Sequence, residues 1–349
     1  MTNLLLAAFL QAIVVQPVQS CSNLAGLAHS SFIRCPVDAL KWSYRGPLVL
    51  QEILRSDADI VCLEEVDHFD DFLHPQLEEN GFSGLYVEKR DSPCLEYTPN
   101  NGPDGCALFY RSSKLLLLKK REVVLNREDG TKSNQVAILV QLKLVGDLIM
   151  ERSSHETVTE SENNKDKNGS SNITVAQSLE MSAESKLEDP VSSSSRPHCS
   201  QIVCIAVTHL KAKREGRERR VAQGKHLLSE LASFAENHPV IVCGDFNATA
   251  DEPVYKYFSG SDSHDLPPLK LSSSYVMPHY GNKEPPLTSW KFRAAGEAKY
   301  TIDYIWFTPD SLKVDSIWTV PTEEEIGKDG LPCEKYPSDH VSICSCFRL

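Results

Sequence analysis

Apolar residues along this chain follow two rhythms: short continuous runs, and longer stretches with helical spacing. Residues 59–63, 106–110, 201–208, 240–243, 304–307 and 341–346 form short runs that read as strands. Residues 135–145 read as another, with alternation at Val136, Ile138 and Val140. Helices are predicted over 40–55, 69–79 and 217–236, with Gly46-Pro47 interrupting the start of the first. Runs that alternate with helical patterns in this way predict an α/β protein. No internal repeat is evident.

The pattern fails between Gly146 and Cys199, where Ser, Glu, Lys and Asn dominate and large apolar residues are few. Such a segment cannot bury enough surface to offset its ordering entropy. Residues 147–198 are therefore expected to be a disordered insertion between two strands, not a domain boundary. The start of the chain is ambiguous. Residues 4–15 are apolar and Val18-Gln19-Ser20 resembles a cleavage site, as in a signal peptide, but the positively charged leading region is missing. Asn247-Ala248-Thr249 is also a glycosylation sequon, so secretion would risk a glycan on a residue assigned below to the site. The cytoplasmic reading is preferred, with the secretory pathway as its alternative.

A chain of 349 residues, 41% hydrophobic, can bury a sizeable core. No apolar run reaches the roughly 18–20 residues that a membrane helix needs. The formal net charge is −12, of which residues 147–196 supply ten acids against five bases. That balance would repel a long nucleic acid more than a small anion held in a basic pocket. Of the eleven cysteines, Cys62, Cys106, Cys204, Cys243 and Cys344 fall in predicted core strands and read as buried thiols. None forms the close pair that zinc sites use, and an odd count suits a reducing compartment.

Four segments carry candidate chemistry. Glu65 follows the run Ile60-Val61-Cys62-Leu63 within the acidic group Glu64, Glu65 and Asp67. A carboxylate at a strand end can hold a hard cation such as magnesium, and period-2 geometry sends Glu64 and Glu65 to opposite faces. Asp245 and Asn247 follow the strand ending at Cys243, with Gly244 expected to permit a tight exit. His340 can act as base, acid or charged stabiliser beside a phosphate, with Asp303 orienting its imidazole. His209 is a further candidate, and the dense basic stretch after it offers Lys211 and Lys213 to a phosphate. Each segment alone also has a plainer reading: a solvated acidic turn, a self-capping Asp/Asn turn, a surface histidine, the wet face of a helix.

Together and in this order the segments carry a resemblance. Residues 34–42, 62–68, 100–107, 208–213, 243–248, 284–291, 301–306 and 336–340 are similar to the deadenylase-like branch of the exonuclease–endonuclease–phosphatase superfamily. The similarity runs from about residue 32 to the C-terminus, leaving residues 1–31 as an atypical N-terminal segment and 32–349 as one catalytic domain with its insertion. The resemblance implies a four-layer sandwich of two mixed β-sheets flanked by helices, like deoxyribonuclease I. It implies Glu65 as a magnesium ligand, Asp245 and Asn247 positioning water and phosphate, and Asp303 orienting His340. Lys89, Lys211, Lys213, Lys291 and Arg293 fall on phosphate-contacting positions, although arginine is usual where this chain has Lys213. The family opens with a strand ending in Trp-Asn, and that asparagine joins the metal site. Asn23 is the nearest equivalent here, with no tryptophan before it. The implied activity is removal of the 2′-phosphate of NADP(H) by a monomer. The alternatives are a 3′ exonuclease acting on poly(A) RNA and a catalytically impaired binding module.

Overall fold

A computed structural model describes residues 3–8 by their backbone, and residues 32–96, 101–145, 202–262 and 265–349 in full. The expected insertion and Asn23 lie outside the described residues. In chain order the elements are β1 (Asn3–Ala8), α1 (Trp42–Arg55), β2 (Ile60–Val66), α2 (His74–Glu79), β3 (Phe82–Glu88), β4 (Gly105–Arg111), β5 (Leu115–Asn126) and β6 (Lys132–Leu144). There follow β7 (Ile202–His209), α3 (Arg217–Ala235), β8 (Val240–Asp245), α4 (Pro253–Phe258), β9 (Ser272–Ser273), β10 (Ser289–Arg293) and β11 (Gly296–Tyr300). The chain closes with β12 (Asp303–Phe307), β13 (Lys313–Ile317), α5 (Glu323–Ile326) and β14 (Ile343–Arg348).

Two six-stranded mixed sheets result, ordered β13-β14-β1-β2-β4-β3 and β5-β6-β7-β8-β12-β9, with β10 and β11 as a separate hairpin. Alternation explains the layers. Ile60 and Cys62 of β2 join Ile205, Val207, Ile241, Cys243 and Ile305 in the core between the sheets. Their neighbours Val61 and Leu63 face outward onto Val49 and Ile53 of α1 and Leu77 of α2. On the far side, Val240 and Val242 pack under Leu227, Leu231 and Phe234 of α3 and Phe258 of α4. Helices, sheet, sheet, helices make the expected four layers.

Three local readings change. The first helix begins at Trp42 and carries Pro47 inside it. Pro47 lies close enough to the N-terminus that its missing N–H costs one early hydrogen bond rather than the helix. Residues 4–15 were ambiguous in the sequence, and Asn3–Ala8 occupies a central sheet position, antiparallel to β14 and parallel to β2. Gly244 is the third. It lies within β8, and a Cβ there would sit 2.1 Å from the Thr208 carbonyl oxygen of β7. Close approach of two parallel strands, and not a turn, requires the glycine. Among the described residues every cysteine is free, and no helix is long and apolar enough to cross a membrane.

Candidate active site

β7, β8 and β12 lie side by side, and register places His209 opposite Asp245 and Asp245 opposite Asp303. All three continue the inward-facing parity of Val207, Cys243 and Ile305, so imidazole and carboxylates project together where the gap between the sheets opens. β2 supplies Glu65 from the other sheet by a different device. Strict alternation would send Glu65 outward with Leu63. Instead the pairing of β2 with β4 slips between Leu63 and Val66, and Glu65 takes φ 52°. This bulge re-aims the side chain into the cavity. Glu64 keeps the inward parity of Cys62. It is buried, neither carboxylate oxygen has a hydrogen-bond partner among the described residues, and burial, with Cys62 and Asp303 nearby, pushes its carboxyl well up.

The resulting cavity, about 350 Å³, is lined by Glu65, Lys89, His209, Lys211, Lys213, Asp245, Asn247, Lys291, Arg293 and His340, together with Asp104, Asp339, Gln135 and Phe32. Every described residue that the sequence nominated lines it except Asp303, which stands behind His340. Both Asp303 carboxylate oxygens lie within 2.9–3.0 Å of His340 Nδ1. Burial alone would lower the His340 imidazole, but Asp303 and Asp339 outweigh it and raise it to about 9. The ring is therefore an imidazolium at neutral pH. His209 is its opposite. Burial, then Lys89 and His340, hold its pKa well below the ordinary value, so it is neutral. Asn247 Nδ2 donates to His209 Nε2 at 2.9 Å and to the Leu210 carbonyl at 3.2 Å, two acceptors that agree on the amide's orientation.

Five cations reach the cavity, but two are already matched. Lys89 Nζ donates to Asp104 Oδ2, and Asp104 also accepts from Ser92 Oγ at 2.5 Å. Lys291 Nζ donates to Asp339 Oδ2. Burial would raise the Asp339 carboxyl, yet Lys291 and His340 bring it down to about 2. Asp104 and Asp339 were thus missed as the anchors of those lysines. In the sequence both fall only within the resembling segments 336–340 and 100–107, because a pairing across 15 or 48 residues has no local signal. Lys211, Lys213 and Arg293 form no ion pair among the described residues. These three, lining the cavity without an ion pair, are the cations available to a phosphate.

Two overlapping sets of residues offer metal ligands. Asp245, Asp303 and His340 place ligand atoms within 4.8 Å of one another. His340 is a poor ligand, because the Asp303 contact that orients it also keeps it protonated. The oxygen set of Glu65, Asp245 and Asn247 is the better cradle for a hard cation. Burial raises the Glu65 carboxyl, while burial and then Asp303 push that of Asp245 up to about 8. Neutral His209, 3.7 Å from Glu65 and 3.8 Å from Asp245, brings no compensating charge. Lys89 and His340 are the positive charges these carboxylates feel, and the hard oxygen donors of this corner fit a divalent ion.

The chain matches the Endonuclease/Exonuclease/phosphatase family over residues 21–340. It is 38% identical to nocturnin of Rattus norvegicus over 325 residues, covering 92% of this chain and 62% of the rat protein. The chain thus spans under two thirds of that relative's length. The human Nocturnin catalytic domain, solved with a bound sulfate anion, superimposes with a TM-score of 0.63 at 33% identity, covering 88% of this chain and 87% of that one. ANGEL2, described as a 2′,3′-cyclic phosphatase and solved with adenosine-2′,3′-vanadate, gives a TM-score of 0.67 at 22% identity, over 99% of this chain and 96% of that one. At that identity the likeness is one of fold.

Proposed function

This chain belongs to the endonuclease/exonuclease/phosphatase family, and from that premise we propose that it is a magnesium-dependent hydrolase removing the 2′-phosphate of NADP(H) to give NAD(H) and phosphate. The observation that carries the reading is the cavity's charge pattern. Lys211, Lys213 and Arg293 surround an opening whose floor holds Glu65, Asp245, Asn247 and cationic His340. Three converging cations suit the compact dianion of a phosphate monoester. A sulfate bound to the human Nocturnin catalytic domain has a similar shape and charge.

Glu65, Asp245 and Asn247 would hold the magnesium through side-chain oxygens. When bound, the ion supplies Lewis-acid neutralisation of phosphoryl charge. The protein's own residues do the rest. Lys211, Lys213 and Arg293 orient the phosphate, while Lys89 and Lys291 add partial charge from their paired positions. Asp245 and Asn247, the latter fixed by His209 and Leu210, position the attacking water in line. His340 Nε2 faces the cavity and stabilises the charge that develops on phosphoryl transfer, with Asp303 holding the ring.

The poly(A) reading draws less support. A strand of adenylates needs stacking surfaces and a basic track, and Phe32 is the one Phe, Tyr or Trp lining the cavity among the described residues. The direct test is phosphate release from NADPH with magnesium, repeated with chelator and with Glu65→Ala. Both changes should cut turnover by about a hundredfold or more while the protein stays folded. Full activity in chelator, with no divalent ion needed, would end the hydrolase reading.

A further inference from the structure

Lys213 stands at φ 73°, ψ 155°, a backbone region that is essentially glycine's and costs of order 1–3 kcal/mol for other residues. Something must hold it there, and the contacts identify what does. Arg220, on the first turn of α3, has a side chain only 2% exposed. Its Nη1 donates to the Lys211 carbonyl at 3.0 Å and to the Lys213 carbonyl at 2.7 Å, and its Nη2 donates to Glu252 Oε2 at 2.6 Å. Gln223, one turn later and also buried, accepts from the Lys211 N–H at 2.9 Å. Glu252 immediately precedes α4, at the end of the segment that leaves β8 through Asp245 and Asn247. The sequence reading placed Arg220 in a run of solvated basic residues; it is instead buried between two site-bearing loops.

We propose that Arg220 is a positioning residue for phosphate recognition: its guanidinium, anchored by Glu252, grips the carbonyls on both sides of Ala212 and holds Lys211 and the strained Lys213 at the cavity. Arginine is suited to this, because one planar group reaches two carbonyls and a carboxylate at once, whereas lysine keeps the charge but not the fork. Gly216 marks how tightly the parts fit: a Cβ there would come within 2.9 Å of Lys211 Cγ and 3.2 Å of Arg220 Nη1. The inference rests on the phosphate-binding reading of this cavity but not on NADPH being the substrate.

The test is a double-mutant cycle on the full chain with four proteins: the parent, Arg220→Lys, Lys211→Ala with Lys213→Ala, and all three changes together. Inorganic phosphate is titrated by calorimetry with magnesium present, and NADPH turnover and melting temperature are recorded on the same samples. Arg220→Lys should weaken phosphate binding by roughly tenfold in the parent and by less than about twofold once both lysines are gone, because interacting residues are non-additive. An equal loss in both backgrounds would show general loosening and overturn the proposal, as would no loss in either. Glu252→Gln, which keeps an acceptor and alters only the anchor, should show the same non-additivity at smaller size if Arg220→Lys does not fold. Phosphate affinity that follows the cycle in a protein that leaves NADPH intact would support the brace and overturn only the substrate.

Discussion

Glu65, Asn247 and Lys213 all line the cavity, and all sit at positive φ, 52°, 49° and 73°. Local backbone strain of this kind persists where surrounding contacts over-determine it. Here each strained residue has an evident constraint: a bulge for Glu65, bonds to Leu210 and His209 for Asn247, the Arg220 grip for Lys213. The sequence named these residues, and the structure brings them to one cavity, by routes the sequence could not show. Alternation predicted that Glu64 and Glu65 part, but the bulge turns Glu65 inside as well. His340 yields a prediction at this scale. Its folded pKa, about 9, lies above the ordinary histidine value of 6.5. The imidazolium's contribution to folding is therefore full below about 6.5 and lost as pH rises through about 9. Activity that needs the cation should fall on the same alkaline limb. Asp303→Asn removes the largest upward influence on the ring, so it should move that limb to lower pH in a pH–rate profile. A limb that stays in place would mean another group titrates there.

Strands carried most of what the sequence could reveal, because buried runs announce themselves. β7, β8 and β12 were placed within a residue or two, and their ends bear His209, Asp245 and Asp303 in adjacent register. The shorter or more polar elements were missed: β9 has two residues, and β11 and β13 are largely exposed. Their polar sequences lack the alternation that makes a strand visible. β1 stayed ambiguous for the opposite reason. An apolar run of that length reads equally as a buried strand or as the hydrophobic part of a leader. Gly244 gives the test at this scale. Gly244→Ala would press a methyl toward the Thr208 carbonyl across the β7–β8 ladder, costing about 1–3 kcal/mol as overpacking does. A lower melting temperature is expected, with weakened activity, since Asp245 is the next residue. An unchanged melting temperature would show that the strands can part there without cost.

Across the whole molecule, the two sheets meet along an apolar interior, and the charged groups gather at one end of it, where Cys62 and Cys243 give way to Glu65 and Asp245. That arrangement was legible in outline, since Glu65, His209 and Asp245 follow buried runs and Asp303 and His340 precede them. What the sequence hid was the matching of charges: only three of five cations remain for a phosphate once Asp104 and Asp339 are counted. The polar stretch 152–196 belongs to a different regime. Its composition offers little to bury, and extra loop length costs little. Deleting it should leave solubility, melting temperature and most turnover unchanged; insoluble protein after the deletion would show that it is structural. The net charge of −12 also bears on substrate choice, because a long polyanion is repelled over more surface than a dinucleotide is. The measurement that tests the account most directly follows purified protein on NADPH and on oligo(A) side by side, at matched concentration, with magnesium and physiological salt. Phosphate should leave NADPH far faster than AMP leaves oligo(A). Faster release of AMP would contradict the account and assign the same site to poly(A) shortening.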